Sequence, residues 1–259
     1  MTKLARFLQR YWPFVFTFTI ILLIIEYAVA LDWIPAFIIP KPTDVMGTIT
    51  EQADRIWEHT QTTLWEVIIG LIFSIGLGCL IGIGLHYSKI LERALYPFIL
   101  ISQTIPTVAL SPIFILWFGY SLWTKVAIIF LITFFPVVVS VYDGLKLTDP
   151  EYIELFRVMG ANPWQIFKDL KWRMALPSIY SGLKMTVVYS LMGAVVGEWL
   201  GGNAGLGYYI RRMSSSLKSE GVFAGILVLS LIGILMFYAV TYLEHRSLYY
   251  LQKESERSL

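Results

Sequence analysis

The stretch DPEYIELFRVMGANPWQIFKDLKWRMALP, residues 149–177, decides how the rest of the chain is read. Asp149-Pro150 pairs an N-cap acceptor with a proline at the first helical position, where its missing N–H costs nothing. Tyr152, Leu155, Phe156 and Met159 follow at i, i+3, i+4 and i+7, one apolar stripe of a helix. Glu151, Glu154 and Arg157 occupy the other side. Gly160 falls where a left-handed C-cap is wanted. Asn162-Pro163 opens a second helix in the same way, with Gln165 placed to close a capping box. Phe167, Leu170 and Met174 carry its stripe to Pro177, where the spacing predicts its end. The stretch therefore encodes two short helices joined by a tight turn. At ~1.5 Å per residue the first is about 15 Å long, too short to cross a membrane or to persist alone in water. Its stripe must rest on the chain's own helices, on a second protein, or on a membrane surface.

What surrounds this polar interruption is apolar. Of 259 residues, 57% are hydrophobic and 15% charged, with a positive mean hydropathy. A soluble domain carries roughly 25% charged residues, so the composition places the chain in the membrane class. Six segments have the ~20 mostly apolar residues a crossing helix needs: 12–31, 64–86, 97–119, 123–141, 179–200 and 222–242. Helices are required because unpaired backbone groups cannot face lipid. The first segment is too long for a signal-peptide core and lacks a clear cleavage site, so it is read as an uncleaved span. With the N-terminus inside, Lys and Arg divide 14 against 6 in favour of the inner side, which orients both termini toward the cytoplasm. The single Cys79 lies in an apolar run and supports no disulfide framework.

Pro106 and Pro112 in the third segment predict a kinked, interior span. Gly78 with Gly82, and Gly193 with Gly197, have the small-xxx-small spacing of closely packed helices. The glycine run of the second segment lacks the Lys-Ser/Thr of a phosphate loop. Glu26, Glu66, Asp143, Lys184 and Glu198 fall toward segment ends, which predicts interface anchoring rather than a buried ion relay. His59, His86 and His245 are scattered, so no metal site is expected.

ELFRVMGANPWQIFKDLKWRMALP, residues 154–177, resembles the cytoplasmic signature of binding-protein-dependent ABC importer permeases. Glu154, Gly160 and Ala161 match its Glu, Gly and following small residue. Leu155 and Phe156 replace its paired alanines, Lys171-Trp172 stands where a Leu-Pro is usual, and Ala175-Leu176-Pro177 keeps the later Leu-Pro. PKPTDV (40–45), SQTIPTVALSPIFILWFGY (102–120), FFP (134–136) and GEWLGGNAGLGYYI (197–210) are similar to stretches of the nitrate, sulfonate and taurine group, whose relatives also carry pyrimidine precursors of thiamine. The resemblance implies an all-α integral membrane protein of the type I importer permease fold, six transmembrane helices with a cytoplasmic coupling helix–turn–helix. It divides the chain into residues 1–58 (tail, first span and external loop), the permease domain 59–245, and a cytoplasmic tail 246–259. It implies that Glu154, Leu155, Phe156, Arg157, Gly160, Ala161, Asn162 and Pro163 contact an ATP-binding subunit, and that Gln103, Pro106, Pro112 and Glu198 belong to the gate or pathway. The implied assembly is two ABC ATPase subunits, a second permease chain (a homodimer being simplest) and an extracytoplasmic solute-binding protein docking on the outer loops, where Arg211 and Arg212 would pair with it. It sits in the lipid of a bacterial plasma membrane and involves no nucleic acid. This chain would bind no cofactor and catalyse nothing; ATP and Mg would sit on the ATPase. The solute would be small and anionic or rich in nitrogen or sulfur. Two other classes remain open on the residues alone. A secondary carrier would need interrupted helices and buried ion-binding groups. An intramembrane enzyme would need one of Ser74, Ser102, Ser190 and Ser230 to be activated.

Overall fold

A computed structural model describes residues 3–249, with side chains from Trp12 onward except at position 14. The expected tail beyond Tyr249, including Lys253 and Arg257, and the side chains of Lys3, Arg6 and Arg10 lie outside the described residues. The described chain is helical: α1 (Lys3–Ala30), α2 (Pro42–Glu51), α3 (Ala53–Tyr87), α4 (Lys89–Ser102), α5 (Thr107–Phe118), α6 (Leu122–Lys146), α7 (Pro150–Val158), α8 (Pro163–Gly201), α9 (Leu206–Ser215) and α10 (Ser219–Ser247). Among the described residues, α3, α6, α8 and α10 are long and apolar enough to cross a membrane, and α4 with α5 makes a fifth span if the bent pair is counted as one. The first expected span is the apolar stretch Val15–Ala30 within α1.

Helix α6 is the spine. It packs along α3 on one side and α8 on the other, and Val126, Ile128, Ile129, Val137, Val138 and Val141 are buried along its length. Glycines make this close approach possible. A Cβ on Gly78 would lie 2.7 Å from Val137 Cγ1, and one on Gly82 would lie 2.8 Å from Val141 Cβ. Gly193 and Gly197 hold α8 against Ile129 and Lys125 of α6 in the same way. Both glycine pairs therefore act as packing surfaces. Gly78→Val or Gly82→Val is expected to overpack this seam by about 1–3 kcal/mol. The melting temperature of the detergent-solubilised protein should fall by several degrees, at roughly 2–4 °C per kcal/mol for a chain of this size. Gly76→Val on the same helix should leave it unchanged, because nothing lies within 4 Å of its Cβ.

The third expected span is not a kinked helix but two helices meeting at 102°. Helix α4 stops at Ser102 and α5 starts at Thr107. Pro106 removes a donor and biases Ile105 away from helical geometry, which breaks the ladder. The carbonyls freed at the end of α4 are not left bare: Ser102 donates to Ile99 O at 2.8 Å and Thr104 to Ile101 O at 2.7 Å. Pro112 sits inside α5 without ending it.

Helix α8 also departs from the sequence reading. The second short helix does not end at Pro177 but runs on to Gly201 as one element, through a π-helical stretch Ile166–Lys171. The wider turn lies where the short helix joins the span without a loop.

Candidate functional site

The knuckle formed by α7 and the start of α8 is built by local rules. Asp149 accepts from Glu151 N at 3.0 Å and caps α7. Gly160 adopts φ +81°, the left-handed turn that glycine reaches without strain. Asn162 and Gln165 complete the capping box, at 2.9 and 2.8 Å. At its root the knuckle is fixed to the spans. The Phe167 ring lies 5.6–6.0 Å from those of Trp164, Tyr87 and Trp172, and Lys171 Nζ is 2.8 Å from His86 Nε2 of α3. At its tip it is bare. No residue of α7 is buried, and Leu155, Val158, Met159 and Trp164 are 53%, 86%, 75% and 66% exposed. Glu154, Arg157, Asn162 and Pro163 are exposed beside them, and Phe156 and Ala161 are half-buried. The stripe on α7 thus does not rest on the chain's own helices.

The four residues expected at the gate do not form one group. Gln103 and Pro106 line a cavity of about 420 Å³ at the α4–α5 break, with Ser102, Thr107, Pro136 and Tyr189. Pro112 does not line it. Glu198 is elsewhere, completely buried near the C-terminal end of α8.

Glu198 belongs to a buried polar cluster, which corrects the expectation that it and Glu66 anchor span ends at the interface. Its Oε1 accepts from the Thr63 hydroxyl at 2.6 Å and its Oε2 from Gly207 N at 2.5 Å. Thr63 in turn accepts from Leu206 N at 2.8 Å, and His59 Nδ1 accepts from Gly205 N at 3.1 Å. Glu198, Thr63 and His59 thus each take one of the N–H groups at the start of α9, at Gly207, Leu206 and Gly205, and tie that helix to α3 and α8. Beside it Glu66, 1% exposed, pairs with Lys125 at 2.5 Å. In the sequence Lys125 reads as a charge at the end of the fourth apolar segment, and nothing around Thr63 marks it. The Gly205-Leu206-Gly207 run was the available hint: Gly205 has φ +105°, and a Cβ on Gly207 would lie 2.8 Å from Glu198 Oε2. Of the other expected anchors, Glu26 accepts from the Thr43 hydroxyl at 2.7 Å, Lys184 pairs with Glu244 at 2.9 Å, and Asp143 is exposed. Arg211 is not a free outer charge; it donates to the carbonyls of Trp199 and Gly202 at the end of α8.

The serines that an intramembrane enzyme would require are otherwise engaged. Ser74 shares a 2.6 Å hydrogen bond with Thr133. Ser102, Ser190 and Ser230 donate to backbone carbonyls of their own helices.

Comparison with known proteins agrees with this architecture. The Formylaminopyrimidine transport permease protein ThiX of Halalkalibacterium halodurans is 48% identical over 210 residues, covering 81% of this chain and 84% of the relative. The Riboflavin transport system permease protein RibX of Chloroflexus aurantiacus is 33% identical over 246 residues, covering 93% and 92%. Among solved structures, a chain of the inward-facing MetNI methionine ABC transporter superposes with a TM-score of 0.65 at 18% identity, covering 78% of this chain and 98% of that one. The match at that identity establishes a shared fold. Residues 74–249 match the family model of the binding-protein-dependent transport system inner membrane component. The chain belongs to that family, and is a multi-pass permease subunit of an ABC importer.

Proposed function

We propose that this permease imports a small heteroaromatic solute of the formylaminopyrimidine class, driven by ATP hydrolysis on partner subunits that grip the knuckle. The bare apolar face of α7 carries this reading. Four large apolar side chains stand out on a rigidly capped element whose second helix is continuous with a span. Such an element transmits a push, whereas a flexible loop would absorb it. A partner shifts a two-state equilibrium only through contacts that differ between the states. Glu154, Leu155, Phe156, Arg157, Gly160, Ala161, Asn162 and Pro163 are the proposed contact set. ATP and Mg are placed on two ATPase subunits, and both termini on their side of the membrane. A second copy of the chain closes the pathway, because Gln103, Ile105 and Pro106 are exposed in a single chain. The outer helices α2 and α9 face the binding protein. The 48% identity to ThiX favours a pyrimidine over the sulfonate, taurine or nitrate that the wider group also suggests.

One experiment tests ATP-driven import of the pyrimidine. Proteoliposomes holding the permease, its ATPase and the binding protein should accumulate labelled formylaminopyrimidine only with ATP on the ATPase side. Uptake driven by an ion gradient without ATP would overturn the importer reading.

A further inference from the structure

The cavity at the α4–α5 break has a chemistry that the family assignment does not supply. It measures about 420 Å³, within the range of small-molecule sites. Its wall combines one amide (Gln103), the hydroxyls of Ser102, Thr107 and Tyr189, the Phe135 ring, two prolines and aliphatic side chains, and it contains no Asp, Glu, Lys or Arg. Ser102 spends its hydroxyl on Ile99 O. Among the described residues, the Gln103 amide and the Thr107 and Tyr189 hydroxyls make no hydrogen bond to protein. Three polar groups, one in the break, one at the start of α5 and one on α8, therefore line one space with no hydrogen bond to protein among the described residues.

We propose that this cavity is a transit site in the permease itself, selecting an uncharged, planar heteroaromatic solute, with Gln103 and Tyr189 as the selecting side chains. The inference rests on the importer reading above and deepens it. An amide offers a donor and an acceptor side by side, the complement of a ring nitrogen next to an amino or formylamino group. Phe135 and Tyr189 supply faces for a flat ring. A sulfonate would shed its hydration there and meet no counter-charge, so the cavity rejects anions. The N-terminus of α5, at Thr107 in the cavity wall, carries at most about half a unit charge, too little to replace a lysine or arginine.

The test uses the assembled importer in proteoliposomes, with labelled formylaminopyrimidine as solute and ethanesulfonate as the anionic competitor. Gln103→Ala and Tyr189→Phe are each expected to raise the KM for uptake about three- to tenfold, the loss of one hydrogen bond to the solute. Gln103→Asn should recover part of the loss. Gln103→Lys should lower pyrimidine uptake and let ethanesulfonate compete where it does not in the parent, a gain that a folding defect cannot produce. Recovery of intact complex from detergent checks assembly of each variant. Pyrimidine uptake with parental KM in both Gln103→Ala and Tyr189→Phe overturns the site while leaving the pyrimidine assignment standing. Uptake of ethanesulfonate instead of the pyrimidine by the parent overturns both.

Discussion

Gly160→Asp is expected to reduce ATP-driven uptake to less than about a tenth of the parental rate while the protein stays in the membrane at parental abundance. Two effects combine. Gly160 holds φ +81°, and a residue with a Cβ pays about 1–2 kcal/mol for that region, somewhat less for Asp. That alone would loosen the knuckle without destroying it, because the caps at Asp149 and Asn162 remain. The larger effect is electrostatic. The site is open in the single chain, with nothing within 4 Å of a Cβ, so the new carboxylate does not disturb the permease's own packing. It stands beside exposed Val158 and Met159, on the face offered to the ATPase. Burying an unpaired carboxylate under a partner is unfavourable by several kcal/mol, which at 1.4 kcal/mol per decade removes the complex. Gly160→Ala separates the terms: it keeps the backbone strain, adds no charge, and should retain a substantial fraction of uptake. Uptake by Gly160→Asp within twofold of the parent would show that the knuckle is not what the ATPase grips.

The parts of this molecule that sequence reveals are those set by neighbours in the chain. The caps at Asp149 and Asn162, the left-handed Gly160 and the packing glycines each follow from residues within one or two turns. Continuity of the second helix through Pro177 does not, because a proline in a span survives where neighbouring helices hold it, and nothing local reports that support. The 102° break is a similar case. Pro106 announces an irregularity, but whether the chain bends gently or turns back depends on what Ser102 and Thr104 do with the freed carbonyls. The buried cluster was hidden for another reason. Lys125 and Glu66 are 59 positions apart. Each alone resembles a charge at a span end, and only the packing of α6 on α3 brings them together. Hydropathy treats such residues one at a time and so assigns both to the interface.

That hidden cluster sets the second large effect. Lys125→Met removes the cation from a site where Glu66 and Glu198 are 1% and 0% exposed. Two carboxyl groups then share a buried space without a counter-charge, and one Glu66 oxygen already has no hydrogen-bond partner. Breaking a buried pair on one side typically costs about 3–5 kcal/mol. The melting temperature in detergent should fall by on the order of 10 °C, at ~2–4 °C per kcal/mol. Adding Glu66→Gln to Lys125→Met should restore more than half of the loss, because the one carboxyl that remains, Glu198, is hydrogen-bonded by the Thr63 hydroxyl and Gly207 N–H and no longer faces a second carboxylate; Glu66 and Lys125 touch, so their effects are not additive. Glu198→Ala should act differently. It abandons the Thr63 hydroxyl and Gly207 N–H, releasing the start of α9 from α3 and α8. Its signature would be faster proteolysis of the outer segment 201–221, with α6 still protected. Glu198→Gln keeps an acceptor and should fall between parent and alanine. A Lys125→Met protein that melts within about 2 °C of the parent, or a double variant no more stable than Lys125→Met, would mean that the outer end of the α3–α6–α8 core is held by packing alone.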